Sequence, residues 1–327
     1  GAGRVISSIP ALELFEKENP EDDFIIVCEA GMDMFKNHPT LHARCFDVHH
    51  KGLFEEKIKD RNCVSTEPYR IWEYYNQKCS LAQAFDIQIN NKGIRELPKS
   101  TIRLNTEEDV KGFLAVKEVR EKTKKDKVVV FQPFGRSSVN AKGFVYDGGG
   151  RSFDMMESAE IASKLQEKGY AIMMMSEFQV PFSDLGCKEP VSHPQNIGLR
   201  EWAGIIKNAD HFLGCDSVGQ HIAHSLDIPT TVVLGSTFAI NTSYVNNSNV
   251  DIIDIDTDNK RYSPIRISFD EEIERNNDKC MKIGDRKEIF NKIYKSIETK
   301  TPVKKKTESN IKSLPNLSGL GIKNGKK

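Results

Sequence analysis

The sequence predicts an α/β protein, because apolar runs of strand length alternate with helical patterns along the second half of the chain. Such alternation is typical of a parallel sheet with helices on both faces. A weaker alternation in the first half and an extended crossing near Pro98 predict a second unit, so we expect two Rossmann-like domains that face one cleft. The predicted strands lie at residues 128–132, 171–175, 211–214 and 231–234, and the helices at about 154–168, 199–207 and 219–226.

The first half is predicted to begin with a helix, since Val5, Ile9, Leu12 and Phe15 share one helical face. A Gly-x-Gly turn usually follows a strand, and the chain opens on "GAG", so we expect the first strand of this domain to be missing. We place an N-terminal domain at 1–115, a C-terminal domain at 116–299 and a tail at 300–327. Further elements expected in the first half are a buried strand at 24–27, a weak strand at 43–48, a helix at 53–60, a strand near Cys63, a helix over about 67–85 and a helix capped by Thr106.

Composition places the chain among globular proteins, with 38% hydrophobic and 29% charged residues. No apolar run approaches the ~20 residues of a membrane span, and the N-terminus has no signal-peptide pattern. The seven cysteines are scattered without a CxxC pair, which argues against a zinc site and a disulfide framework and indicates a reducing cytoplasm.

Charge is unevenly distributed, although the net charge of the chain is zero. Residues 300–327 hold eight lysines and one acid, so the rest of the chain carries a net negative charge. This basic, Gly- and Ser-containing tail is predicted to be disordered. A nucleic-acid or membrane anchor is the alternative, and the acidic body disfavours duplex DNA as a partner.

The stretch "GCDSVGQHIAHSLDIPTTVVLGST", residues 214–237, places a polar turn between a strand and a helix. Helix capping alone accounts for one polar residue there. A cluster of this size, with a second small turn after the next strand, favours a phosphate-bearing ligand held at the helix N-terminus. The candidate donor-binding residues are Asp216, Ser217, Gly219, His221, Gly235, Ser236 and Thr237.

A similar turn, "FQPFGRSS", follows the strand at 128–132. Arginines pair with phosphate oxygens in a bidentate manner, so two arginines near two such turns fit a diphosphate. Surface salt bridges are the alternative for either arginine alone, and Glu177 is a candidate for binding ribose hydroxyls. The candidates here are Gly135, Arg136, Ser137, Ser138 and Arg151.

These motifs resemble glycosyltransferase family nine, the ADP-heptose:lipopolysaccharide heptosyltransferases. "GAGRVISSIPALE" is similar to the family's opening, residues 214–237 to its Asp-Ser/Thr-Gly-x-x-His motif, and "FQPFGRSS" with "GRSF" to its phosphate-binding segment. The segment "DKCMKIGDRKEIFNKI" is similar to its final helix, so the resemblance spans residues 1 to about 297. It implies a GT-B fold whose C-terminal domain binds an ADP- or UDP-linked sugar donor and whose N-terminal domain binds the acceptor. It also implies metal-independent transfer without a cofactor.

The sequence departs from the family at Val218, Arg151, Phe153 and Arg4. Arg4 stands where the family has the aspartate proposed as general base, and arginine cannot serve as a base at neutral pH. Either the base lies elsewhere or Arg4 holds an anionic group. The replacement candidates are Glu29, Asp33 and the His49-His50 pair, which is otherwise an ordinary loop pair.

An aromatic stretch in the first half is a candidate acceptor surface, because aromatic rings stack on sugars and on flipped bases. Core packing is the alternative for this stretch. The loop at 260–268 either closes over the nucleotide or crosses back to the first domain. The candidate acceptor residues are Gly3, Tyr69, Trp72, Tyr75, Asn76 and Lys78.

The leading interpretation is a glycosyltransferase acting on a glycan or lipopolysaccharide acceptor. Alternatives are transfer to hydroxymethylated bases in DNA, a GT-B protein that binds a nucleotide sugar without transferring it, and a nucleotide-sugar epimerase. The resemblance implies a cytoplasmic enzyme that can be peripheral to the inner membrane, or one in the host cytoplasm if a phage encodes it.

Overall fold

The computed structural model describes residues 1–141, 144–147, 149–255, 281 and 283–303. The predicted loop at 260–268 and the lysine-rich tail beyond Val303 lie outside these residues. The helices are α1 (Ala2–Glu18), α2 (Trp72–Tyr75), α3 (Leu81–Asn90), α4 (Thr106–Thr123), α5 (Met155–Glu167), α6 (Leu199–Asn208), α7 (Val218–Ser225), α8 (Ala239–Thr242) and α9 (Arg286–Lys300). The strands are β1 (Ile26–Cys28), β2 (Cys45–Asp47), β3 (Lys127–Gln132), β4 (Ser138–Ala141), β5 (Phe144–Asp147), β6 (Tyr170–Met174), β7 (His211–Cys215), β8 (Thr230–Leu234) and β9 (Val250–Asp254).

The C-terminal half contains a five-stranded parallel sheet in the order β6-β3-β7-β8-β9. This confirms the predicted α/β class and the four strands expected there. The sequence order of the strands reverses between β3 and β7, since β6 lies on one side of β3 and the later strands lie on the other. Such a switch point opens a crevice at the carboxyl ends of the two strands. Gln132 pairs with Gly214 at this edge of the sheet.

The N-terminal half differs from the predicted domain in the extent of its sheet. Its strands β1 and β2 form a two-stranded parallel sheet of three residues each. The strand predicted near Cys63 is absent, and Cys63 is exposed. The predicted helix over 67–85 is divided into the 3₁₀ turn Pro68–Arg70, α2 and α3. Short apolar runs explain the small sheet, because a buried strand needs more apolar residues than 24–27 supply.

Helix α4 joins the two halves and packs against α6. Its N-cap is Asn105 instead of the predicted Thr106, because Asn105 forms a capping box with Glu108. A Cβ atom on Gly112 would lie 2.1 Å from the carbonyl carbon of Gly204, so the two helix backbones cross in direct contact. The predicted domain boundary after residue 115 falls inside this helix.

The two halves share one apolar cluster. Ile6 of α1 and Met34 lie in the same cluster as Trp202, Phe212 and Ile222 of the C-terminal half. All five side chains are at most 5% exposed. The start of α1 is therefore fixed against the face of the C-terminal sheet that carries α7.

The first residues assigned to the disordered tail are ordered. The hydroxyl of Tyr170 donates to the carbonyl of Thr301 over 2.9 Å, and Thr301 is 3% exposed. Lys300 forms an ion pair with Asp251. These contacts fasten the end of α9 to the sheet, so the structure continues past the predicted start of the tail at residue 300.

Candidate functional site

The candidate site lies at the switch point, where β3 and β7 end side by side. The side chain of Gln132 binds the first turn of α7 in two places. Its Oε1 accepts a hydrogen bond from the N–H of Gly219 over 2.9 Å, and its Nε2 donates to Oγ of Ser217 over 3.2 Å. Ser217 precedes α7 but makes no side-chain capping bond. Simple capping, the alternative considered for this residue, therefore does not account for Ser217.

Asp216 is buried directly above the end of β7, with 5% of its surface exposed. Its Oδ1 accepts a hydrogen bond from Nε2 of Gln220, one turn along, over 2.8 Å. Its Oδ2 lies 3.9 Å from NH1 of Arg151, which also donates to the backbone carbonyl of Asp216 over 3.4 Å. The structure thus brings together two predicted donor residues that lie 65 positions apart in the sequence.

Arg151 is held beside Asp216 by two carboxylates. Burial alone would lower its pKa, but Asp216 and Asp147 raise the pKa above its ordinary value. Its Nε atom is buried and has no hydrogen-bond partner among the described residues. Arg151 therefore presents a permanent positive charge at the switch point.

Asp147 organises the loop that carries Arg151 and is not among the predicted site residues. This carboxylate is fully buried and accepts hydrogen bonds from both the N–H and the hydroxyl of Ser152, at 2.8 and 2.6 Å. The hydroxyl of Ser137 and the N–H groups of Gly149 and Arg151 also donate to it. Burial favours a higher pKa, yet these hydrogen bonds lower the pKa of Asp147 below its usual value. The feature of the sequence that could have identified Asp147 is its position directly before the glycines of "YDGGGRS".

The serines and glycines of the predicted phosphate turns are largely bound to one another. The N–H of Gly135 donates to Oγ of Ser152 over 2.9 Å, and Ser138 binds the carbonyl of Gly135. Ser236 donates to the carbonyl of Gly149 over 2.6 Å. A Cβ atom on Gly235 would lie 2.6 Å from that of Met281, so this turn is closely packed. These groups shape the rim, and the arginines are left as its main anion-binding groups.

The start of α1 forms the opposite wall. A Cβ atom on Gly3 would lie 3.0 Å from Cδ2 of His221, and one on Gly1 would lie 2.7 Å from NH1 of Arg136. Nδ1 of His221 shares a hydrogen bond of 2.7 Å with the hydroxyl of Tyr244. Burial, with smaller contributions from His224 and Arg151, lowers the pKa of His221 to about 4. His221 is therefore a neutral packing residue between α7 and α1.

Arg4 lies over the ring of Tyr69, with its guanidinium carbon 5.1 Å from the ring centroid. Its NH2 donates to the carbonyl of Thr66 over 3.2 Å and lies 3.9 Å from Oε1 of Glu67. Tyr69 is 8% exposed and contacts Tyr74 edge to face, with centroids 5.5 Å apart. Core packing, the alternative for the aromatic stretch, thus holds for Tyr69.

The remaining acceptor candidates lie at the surface of this segment. Trp72 is 66% exposed, and Lys78 is also exposed. Tyr75 and Asn76 are half-buried, and Asn76 donates to the carbonyl of Trp72 over 2.8 Å. Only Trp72 offers a large accessible ring for stacking.

The predicted carboxylate and histidine candidates are exposed. Glu29 and Asp33 flank Gly31, whose φ is +82° and whose Cβ position lies 2.8 Å from Cα of Ala2. This contact places the loop that carries them against the start of α1. Glu177 follows β6 at the surface. The His49-His50 pair is exposed beside β2.

Within the part of the chain that the structure describes, no group of His, Cys, Asp and Glu side chains is arranged to hold a metal ion. No helix in the same residues is long and apolar enough to cross a membrane.

Comparison with known proteins rests on structure, since no protein-family model and no curated protein matches the chain. The crystal structure of a glycosyl transferase family 9 protein from Veillonella parvula DSM 2008 superposes with a TM-score of 0.61 at 11% identity. The match covers 91% of this chain and 95% of that one. The chain has the family 9 glycosyltransferase fold.

Two E. coli structures are more distant neighbours of this family 9 fold. The heptosyltransferase WaaC with ADP matches at 11% identity over 78% of this chain and 90% of its own, with a TM-score of 0.47. The ADP-heptose LPS heptosyltransferase II matches at 10% identity over 68% and 62%, with a TM-score of 0.43.

One departure from the family 9 motif has a local explanation. The glycine expected at position 218 is Val218, and the glycine follows at 219. A Cβ atom at position 219 would lie 2.4 Å from both Oε1 of Gln132 and Cζ of Phe212. The turn therefore needs its glycine at 219, where the helix meets β3 and β7.

Proposed function

We propose that this protein is a glycosyltransferase that takes a sugar from a nucleoside diphosphate sugar bound at the switch point between β3 and β7. The observation that carries the proposal is the pair of buried Asp216 and half-buried Arg151 at that edge of the sheet. Open α/β sheets bind ligands at this place, and the chain has the fold of a family 9 glycosyltransferase over almost its whole length.

The chemistry of the site suits a departing diphosphate. When the bond between the sugar and the phosphate breaks, negative charge develops on the phosphate oxygen. Arg151 and the N-terminus of α7 offer positive potential to that charge. Arg136 adds an exposed guanidinium, which pairs with no carboxylate among the described residues. Asp216 fits the sugar hydroxyls, to which a carboxylate oxygen can accept hydrogen bonds.

The donor proposed is an ADP- or UDP-linked sugar, and the acceptor is a hydroxyl of a glycan or lipopolysaccharide. Transfer without a bound metal remains part of the proposal, with Arg151 in the role that a divalent cation plays elsewhere. Transfer to hydroxymethylated DNA bases is the second acceptor class, and the exposed ring of Trp72 suits either acceptor by stacking.

Thermal shift measurements test the donor site. We expect one of ADP, UDP, GDP or their sugars to raise the melting temperature by several degrees. Asp216→Asn should remove the additional shift that a nucleotide sugar gives over its free nucleotide, because the variant loses a carboxylate oxygen for the sugar hydroxyls while its amide keeps an acceptor for Gln220. Asp227→Asn, at the far end of α7, is the matched control and should keep the shift. The proposal fails if no nucleotide or nucleotide sugar changes the melting temperature of the wild-type protein.

A further inference from the structure

Transfer of a sugar to a hydroxyl requires a base that removes the hydroxyl proton. Arg4 cannot do this, and Glu29 and Asp33 are exposed loop residues. Glu67 is different, because its Oε1 is buried and has no hydrogen-bond partner among the described residues. A buried carboxylate oxygen without a donor is costly. Such an oxygen can accept a hydrogen bond from a hydroxyl of a bound substrate.

The position of Glu67 links it to both walls of the site. Its side chain is 32% exposed, so one part of the carboxylate is open to solvent while Oε1 is enclosed beside NH2 of Arg4. Arg4 is the fourth residue of the chain and lies in the first turn of α1, whose start contacts Arg136 and His221. Glu67 therefore lies beside the N-terminal end of α1, which forms one wall of the donor site.

The segment that follows Glu67 continues to the donor residues. Tyr69 is close enough to Arg151 to interact electrostatically, and Tyr74 is close enough to both Arg151 and Asp216. Nδ2 of Asn241, in α8 of the C-terminal half, donates to the carbonyl of Tyr74 over 3.0 Å. This hydrogen bond holds the segment that follows Glu67 against the C-terminal half.

We propose that Glu67 is the general base of the transfer reaction and that Arg4 is its positioning residue. This inference rests on the proposed function. The acceptor hydroxyl gives its proton to the carboxylate of Glu67, and its oxygen forms a bond to the anomeric carbon of the donor sugar. The bond from that carbon to the phosphate oxygen breaks, and its electron pair leaves with the nucleoside diphosphate. Protonated Glu67 then returns the proton to water.

Arg4 has a physical reason to be present in this arrangement. The carbonyl of Thr66 and the ring of Tyr69 hold its guanidinium in place, so its position beside Glu67 does not depend on a bound substrate. The NH2 that donates to Thr66 also lies 3.9 Å from Oε1 of Glu67 and gives this carboxylate an ionic partner. The exchange of a carboxylate for an arginine at position 4 is accounted for when the carboxylate is supplied by position 67.

The test measures nucleoside diphosphate release by the full chain from ADP-, UDP- and GDP-sugars, with water and with deacylated lipopolysaccharide as acceptors. We expect Glu67→Gln to lower the rate roughly 10²- to 10⁴-fold, to keep the thermal shift with nucleotide, and to remove the acidic limb of the pH–rate profile. Glu67→Ala should regain activity with added formate, which a purely structural role would not allow. Glu73→Gln, in the same segment, is the control and should keep the wild-type rate.

The outcomes separate the two proposals. Wild-type release that persists in Glu67→Gln overturns the role of Glu67 and leaves the glycosyltransferase intact. Loss of release in Glu29→Gln or Asp33→Asn, with Glu67→Gln fully active, assigns the base to that loop instead. No release by the wild-type protein from any of the three nucleotide sugars overturns the proposed function and the role of Glu67 together.

Discussion

The N–H of Gly219 donates a hydrogen bond to Oε1 of Gln132 over 2.9 Å. This bond joins the first turn of α7 to the last residue of β3, across the crevice that the strand order creates. One of the N–H groups expected to bind phosphate is therefore already occupied by the protein. The proposed binding of a diphosphate at this edge would therefore depend more on Arg151 and Arg136 than the sequence pattern suggests.

Gly219→Ala should destabilise the fold and remove nucleotide binding. The new methyl group would lie within 2.5 Å of both Gln132 and the ring of Phe212, which is fully buried and cannot move away. We expect the free energy of unfolding to fall by about 1–3 kcal/mol, the usual effect of overpacking. Urea unfolding measures the loss, and Gly93→Ala is the control, since nothing lies within 4 Å of that Cβ position. Equal stabilities of the two variants would contradict the packing described for α7.

Asp147→Asn should loosen the loop that carries Arg151. The amide would place N–H groups against the N–H groups of Ser152 and Arg151, which now donate to the carboxylate. We expect a loss of about 2–4 kcal/mol and weaker nucleotide binding, measured by urea unfolding and calorimetric titration. Asp154→Asn, at the N-cap of the neighbouring helix, is the control and should change the stability little, because asparagine caps a helix about as well as aspartate. A nucleotide affinity unchanged in Asp147→Asn would show that the loop does not position Arg151.

Acid should destabilise the protein through its buried histidines. Burial is the largest cause that lowers the pKa of His211 to about 3 and those of His221 and His224 to about 4. The unfolded chain binds a proton on each near pH 6.5, whereas the folded protein does so only near or below pH 4. The free energy of unfolding should therefore fall as the pH drops from 6.5 to 4, by about 1.4 kcal/mol per pH unit for each histidine.

Urea unfolding between pH 7 and pH 4 tests this dependence. His224→Gln should reduce the slope of the free energy of unfolding against pH by the contribution of one proton. His49→Gln replaces an exposed residue and should leave this slope unchanged. Asp147 contributes in the same direction at lower pH. Its folded pKa lies below 3.8, so its stabilisation is complete above that value and disappears as the pH falls further. A stability that is constant between pH 7 and pH 4 would contradict the burial of the histidines.

Ile6→Ala should destabilise both halves together. Ile6 is fully buried in the cluster that also contains Phe212 and Ile222, and we expect a loss of about 2–5 kcal/mol. Calorimetry should show a single transition in the wild type and in the variant, because the halves share a core. Val64→Ala, an exposed apolar residue of the N-terminal half, is the control and should change little. Two separate transitions would indicate two independently stable domains.

The C-terminal half could be predicted well from the sequence because its strands are buried on both faces. Each of β3, β6, β7 and β8 is a continuous apolar run between turn residues, and such runs report directly on a covered parallel sheet. The polar turns after β3 and β7 were predicted to converge for the same reason. The structure brings Arg151 and Asp216 together there.

The N-terminal half was harder to predict because tertiary contacts decide it. The segment around Cys63 has no partner strand and forms no strand itself. Asn105, and not Thr106, is the N-cap of α4, because Glu108 completes a capping box with Asn105. The glycine-rich turn after Asp147 was the signal available for that residue, whereas nothing in the sequence around Glu67 reveals that one of its carboxylate oxygens will be buried. Their roles depend on which distant groups fold against them, as Arg4 does against Glu67.

The order in which the chain is synthesised gives the shared core a further consequence. One face of α1, with Ile9, packs on Phe35 and Leu41 of its own half and can be covered soon after it is made. The face with Ile6 has to wait for Phe212 and Ile222, roughly 10–40 s later at usual rates of translation. During that interval the nascent chain carries an uncovered apolar stripe at the ribosome, where a chaperone that binds short apolar segments would find it.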